Sequence, residues 1–256
     1  MALIIDSHAH LDDPKFDEDR VQIIESLKES GIELVINPGA DRPTSEAAFE
    51  LANLYDNIYA AVGTHPHSAD ELTDKDLDRY REMAKSERVI AIGEIGLDYY
   101  YDNSPRDLQK EAFIKQMKLA EELNLPVVIH TREASGDTYD ILESFKDKVY
   151  GVMHCYSGSV EMAKRYLDLG YYISLAGPVT FKNSRVAKEV AAAVPIDKLL
   201  IETDSPYLSP EPKRGRRNEP KHTLYVAECI AEIRNMDLDE LIEVTNENTK
   251  RVFNLQ

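Results

Sequence analysis

His8 and His10, in Asp6-Ser7-His8-Ala9-His10-Leu11, follow directly on the short apolar run Leu3-Ile4-Ile5. In an extended strand residues i and i+2 point to the same side, so the two imidazoles project together from the strand's C-terminal end. Two imidazoles so placed are the beginning of a divalent-metal site. Further metal-binding residue types recur at the same kind of position. Glu94 follows Val89 to Gly93, His130 ends Val127-Val128-Ile129, His154 ends Val152-Met153, and Asp204 comes after Leu199-Leu200-Ile201. Any one of these reads as an ordinary strand or helix cap. Four histidines and two carboxylates at the ends of five separate runs point instead to a hydrolytic metal site, provided those ends meet.

The elements that must bring them together alternate along the chain. Strands are predicted at residues 3–5, 34–36, 58–62, 89–93, 127–129, 150–153, 171–175 and 199–201. Helical patterns lie between them, at about 17–30, 43–55, from Thr73, 104–124, 136–145, 159–169 and 184–193, with two more at 223–235 and 238–248. Gly31 and Gly170 suit helix C-termini, and Ser104-Pro105 suits a helix start. Eight strands, each followed by a helix, predict an α/β fold of the closed (β/α)8 TIM-barrel type, one domain over residues 1–256. A doubly wound open sheet is the competitor, but no glycine-rich dinucleotide loop follows the first strand.

In such a barrel the reactive groups sit where strands end, so the six donors would converge at one mouth. Six exceed the need of one tetrahedral ion, which favours two ions, with Glu94 the candidate bridge. Two divalent ions about 3.5–4 Å apart can share a hydroxide and clamp an in-line displacement. Asp204 is assigned both a ligand and a general-base role. Gly63-Thr64-His65-Pro66-His67 follows the third strand; His65 is a candidate contact for a substrate phosphate or leaving group, and His67 reads as structural. Four imidazoles suit zinc, manganese or cobalt better than magnesium, which prefers oxygen.

The 256 residues carry 30 Lys+Arg against 47 Asp+Glu, a formal net charge of −17. That argues against general adhesion to nucleic acid or anionic membrane, so an anionic substrate must be attracted locally, by bound metal or a basic patch. One basic patch is present at residues 213–221, beyond the last strand, and Tyr99, Tyr100 and Tyr101 after the fourth are candidates for stacking on unpaired bases. Arg132 is a weaker candidate, either for gripping a phosphate or for pairing with Glu133. Cys155 and Cys229 read as two reduced thiols, and no signal-peptide core or membrane-length apolar run is seen, so a cytoplasmic location is expected.

The stretches DSHAHLD, GTHPH, GEIGLDYY, PVVIHTREA, HCYSGS, ETDSPYL and RGRRNEP, in this order along the chain, resemble the TatD family of metal-dependent deoxyribonucleases. The resemblance implies a TIM-type barrel with two divalent ions held by His8, His10, Glu94, His130, His154 and Asp204. It also implies hydrolysis of DNA, commonly exonucleolytic from the 3′ end, with magnesium commonly supporting the activity. Departures are slight: Tyr156 stands where Phe is frequent, and Thr64 where an aliphatic residue is common. No lysine ends the fourth strand, unlike barrels bridged by a carboxylated lysine. The same ligand set would also serve ester cleavage, such as removal of an aminoacyl group from tRNA; a non-catalytic metal-bearing scaffold is the third alternative.

Overall fold

A computed structural model describes residues 2–255. Eight strands form one sheet in sequential order, every neighbouring pair parallel. They are β1 (Ile4–Asp6), β2 (Ile32–Pro38), β3 (Ile58–Val62), β4 (Val89–Asp98), β5 (Val127–Arg132), β6 (Gly151–Met153), β7 (Tyr172–Leu175) and β8 (Leu199–Ile201). The last strand returns to the first: Ser7 N–H donates to the Ile201 carbonyl at 3.2 Å, and Asp204 N–H donates to the His8 carbonyl at 2.9 Å. A parallel bridge pairs Ala9 with Ser205. The sheet is therefore a barrel and not the open, doubly wound alternative.

Between the strands run α1 (Arg20–Glu25), α2 (Arg42–Leu54), α3 (Asp74–Met83), α4 (Arg106–Leu123), α5 (Ser135–Ser144), α6 (Val160–Asp168) and α7 (Arg185–Ala193), with α8 (Thr223–Arg234) and α9 (Leu238–Val252) after β8. Their ends follow local chemistry. The Asp41 carboxylate accepts from Thr44 N–H at α2, the Ser159 hydroxyl from Met162 N–H at α6, and the Asp237 carboxylate from Asp239 N–H and Glu240 N–H at α9. Asn124 and Asn235 terminate α4 and α8 in the left-handed conformation that asparagine tolerates. Two expectations differ. The first helix is α-helical only over Arg20–Glu25, with turns on either side. Ser104 does not cap α4; its hydroxyl donates to the Asp70 carboxylate at 2.7 Å, with the His67 carbonyl 3.0 Å away, and Pro105 takes the cap position.

Alternation along the strands divides the core in two. Ile5, Ile36, Ala61, Ile90, Val128, Val152, Tyr172 and Leu200, one from each strand, form an inner cluster joined by Val252 and Phe253 at the end of α9. Neighbouring strand residues such as Ile4, Val35, Ala60, Ile129, Met153, Ile173 and Leu199 face the surrounding helices. The inner cluster fills the barrel from within. Polar side chains are left to the C-terminal strand ends, where the candidate site lies.

β4 and β5 extend well past their apolar runs. Gly96 pairs with His130, Leu97 with Thr131 and Asp98 with Arg132, so Glu94 and His130 lie within strands and not in the loops after them. Gly96 makes this possible. Its φ of +143° disfavours any side chain, and a Cβ there would fall 1.9 Å from the His130 carbonyl oxygen.

Candidate metal centre

The C-terminal mouth of the barrel gathers all six donors around the Glu94 carboxylate. Glu94 Oε1 is 2.9 Å from His130 Nδ1 and 3.0 Å from His154 Nε2. Glu94 Oε2 is 3.4 Å from His8 Nε2 and 3.7 Å from His10 Nε2. Asp204 Oδ1 completes the second group, 3.5 Å from His10 Nε2 and 3.7 Å from His8 Nε2. Each oxygen of one buried carboxylate thus faces a different pair of imidazoles.

Two further carboxylates decide which nitrogen of each ring faces inward. His130 Nε2 lies 3.1 Å from Asp98 Oδ2, and His154 Nδ1 lies 3.0 Å from Glu202 Oε1. With those outer nitrogens donating, the inner nitrogens of both rings present lone pairs towards a carboxylate oxygen, an arrangement that calls for a cation between them. His8 and His10 bring Nε2 atoms within 3.2 Å of one another beside two carboxylates, which calls for the same. The buried Nδ1 of His8 meets no hydrogen-bond partner; its ring stacks on His154 at 3.7 Å. The donor set therefore fits divalent cations, and four imidazoles with two carboxylates suit zinc, manganese or cobalt.

Protonation follows the same geometry. Burial opposes charge on His10, but the neighbouring Asp204 and Glu94 carboxylates outweigh it and push its pKa up to about 9. His154 is likewise raised, Glu94 and Glu202 overcoming its burial. Burial works against ionisation of Glu94 too, yet the surrounding imidazoles hold its carboxyl well below the usual range. Without metal, protons occupy the places of cations.

His65 stands apart. Its Nε2 is 3.4 Å from Glu94 Oε1, but its Nδ1 accepts the His67 N–H at 3.1 Å. That bond assigns the ring hydrogen to Nε2, so the inward nitrogen is a donor and not a ligand. Burial holds its pKa down to about 4, which keeps the ring neutral. His67 Nε2 lies 2.9 Å from Asp98 Oδ2 and shares that carboxylate with His130.

Asp98 and Glu202 are not among the six donors that the strand ends suggest, although the same spacing points to both. Glu94, Gly96 and Asp98 alternate onto one face of a strand, and Glu202 precedes Asp204 by two, as His8 precedes His10. The basic stretch beyond β8 is largely compensated: Arg217 binds Asp19 in bidentate fashion at 2.7 and 2.6 Å, Lys221 pairs with Glu219, and Arg214 with Glu211. Asn218 in that stretch donates to the Thr203 and Tyr207 carbonyls and so supports the segment carrying Asp204.

A parallel barrel with a pole of imidazoles around a shared carboxylate defines a class, the metal-dependent hydrolases. The comparisons with known proteins agree. The model of the family "TatD related DNase" matches residues 5–254. The chain is 47% identical over 254 residues to YabD of Bacillus subtilis, an uncharacterized metal-dependent hydrolase, covering 99% of this chain and 100% of that protein. It is 37% identical over 256 residues to YcfH of Escherichia coli, named in the same terms, covering 98% of this chain and 96% of the relative. Among solved structures, YJJV, a TatD homologue from Escherichia coli K12, superposes with a TM-score of 0.92 at 30% identity, covering 99% of this chain and 98% of that one. The chain belongs to the TatD family.

Proposed function

We propose that the protein is a two-metal phosphodiesterase that removes nucleotides from the 3′ end of DNA. The observation that carries this reading is the division of Glu94: Oε1 faces His130 and His154, and Oε2 faces His8 and His10. A carboxylate shared in this way is what two neighbouring ions require, and a pair of ions is suited to clamping the two oxygens of an in-line displacement. The description of the matching family as a DNase supports the substrate.

His8, His10, Asp204 and Glu94 would hold one ion, and His130, His154 and Glu94 the other. When bound, divalent ions supply Lewis acidity and lower the pKa of water from about 16 to about 7. Asp204 orients the attacking water and takes its proton. Without metal, burial disfavours charge on Asp204, but His10 and the other imidazoles hold its carboxyl below the usual value. His65 Nε2–H, the neutral donor beside Glu94, hydrogen-bonds a non-bridging phosphoryl oxygen. The water oxygen bonds to phosphorus as the P–O3′ bond breaks, and the departing 3′ oxygen takes the proton that Asp204 received from that water.

The test is release of mononucleotides from 5′-labelled single-stranded DNA by the manganese-loaded protein. Glu94→Ala is expected to abolish it. Asp204→Asn, in molecules that retain both ions, is expected to slow turnover by about 10²–10⁴-fold. Failure of the wild type to shorten the strand, with cleavage of aminoacyl-tRNA in a parallel assay, would replace DNA by an ester substrate.

A further inference from the structure

Arg132 ends β5 two residues beyond His130, so its side chain leaves the strand on the side that bears the site. Among the described residues its guanidinium makes neither an ion pair nor a hydrogen bond, in a chain of net charge −17. Arg88 and Arg234, which also lack carboxylate partners, donate to backbone carbonyls instead. The Arg132 guanidinium lies over the ring of Tyr100 at 4.0 Å and of Tyr101 at 4.8 Å. Those rings are 53% and 55% exposed, more than most large apolar side chains of this protein.

The turn that carries them is fixed to the site. Tyr100 N–H and Tyr101 N–H donate to Asp98 Oδ1 at 3.0 and 2.9 Å, while Asp98 Oδ2 faces His130 and His67. Tyr99 N–H bonds the Arg132 carbonyl at 2.9 Å, and the Tyr101 ring meets His67 edge-on at 5.4 Å. One carboxylate therefore sets the distance from His130 to two exposed rings and a free cation. An arginine packed on tyrosines for stability alone would be expected to bury the rings or to answer the charge; here neither happens. A guanidinium suits a phosphate, and an exposed aromatic face suits an unpaired base.

We propose that Arg132, Tyr100 and Tyr101 form a subsite for the nucleotide next to the reacting phosphodiester. The guanidinium takes its phosphate, and the rings take its unstacked base. The proposal rests on the phosphodiesterase reading above and adds to it an expected preference for single strands, since a base paired in a duplex has no free face to offer.

Binding, and not turnover, is the test. Fluorescence anisotropy would compare manganese-loaded wild type, Tyr100→Leu, Tyr101→Leu, Arg132→Gln and Arg132→Lys. The probes are a single-stranded oligonucleotide protected by phosphorothioate linkages, the same strand with abasic positions at its 3′ end, and a blunt duplex. Loss of a stack is expected to weaken the intact strand about 5- to 150-fold. The abasic strand should already be weak and insensitive to the tyrosine changes. Arg132→Gln should flatten the slope of log affinity against log salt by about 0.7, and Arg132→Lys should keep it. Equal affinity in all five proteins, or equal losses on intact and abasic strands, overturns the subsite. Melting curves establish that each variant is folded. Because binding is read apart from cleavage, loss of the subsite leaves the hydrolytic reading standing; wild type that binds the protected strand but never shortens the same strand with ordinary phosphodiester linkages removes that reading alone.

Discussion

Asp98 and Glu202 do at the residue scale what the six inward donors cannot do for themselves. Each holds one imidazole by its outer nitrogen and so turns the other towards Glu94. Asp98→Asn is expected to weaken binding of one ion by about 10–100-fold, the cost typical of removing such a support, and to spare the other. Titration of the metal-free variant against a chromophoric chelator reads both affinities; two unchanged constants would contradict the role. His8 and His10 were legible in the sequence because they alternate beside an apolar strand. Asp98 and Glu202 follow the same alternation but were masked. Asp98 sits in a glycine-broken run that reads as loop, and Glu202 next to an aspartate with a more obvious assignment.

At the scale of elements, apolar runs located all eight strands and the lengths differed where polar residues took over. β4 is predicted to stop at Gly93 and continues to Asp98, and β5 runs to Arg132 instead of Ile129. Hydrophobic periodicity registers burial against apolar neighbours and not ladder hydrogen bonds, so the polar ends that build a site escape it. α9 likewise runs on to Val252, because Thr249 and Val252 are buried. The β4–β5 extension gives a prediction of its own. Gly96→Ala would drive a Cβ into the His130 carbonyl at a φ that alanine resists. A loss of at least ~1–3 kcal/mol in urea unfolding is expected, with reduced metal content, since Glu94 and His130 would be moved apart. Gly136→Ala, in α5 with open space around it, is the control and should be neutral or slightly stabilising. Equal behaviour of the two variants would show that the close strand approach is not needed.

The whole molecule sets an acidic chain, of net charge −17, against a pole of histidines gathered around carboxylates. No helix among the described residues is long and apolar enough to cross a membrane. Without metal, His10 has its pKa raised from 6.5 to about 9, so the stability it contributes is complete below 6.5 and disappears as pH rises through 9. An ion must displace that proton. Affinity for the ion therefore rises with pH across this window, and its uptake releases protons at pH 7 but far fewer above pH 9. Proton release on adding manganese to unbuffered, metal-free protein checks this; pH-independent uptake would contradict it.

The shared Glu94 carboxylate is tested most directly by returning manganese stepwise to chelated protein while following mononucleotide release from single-stranded DNA. Turnover should emerge only as the second equivalent per chain is taken up. Full turnover at one equivalent, or none at two, would contradict a two-ion phosphodiesterase.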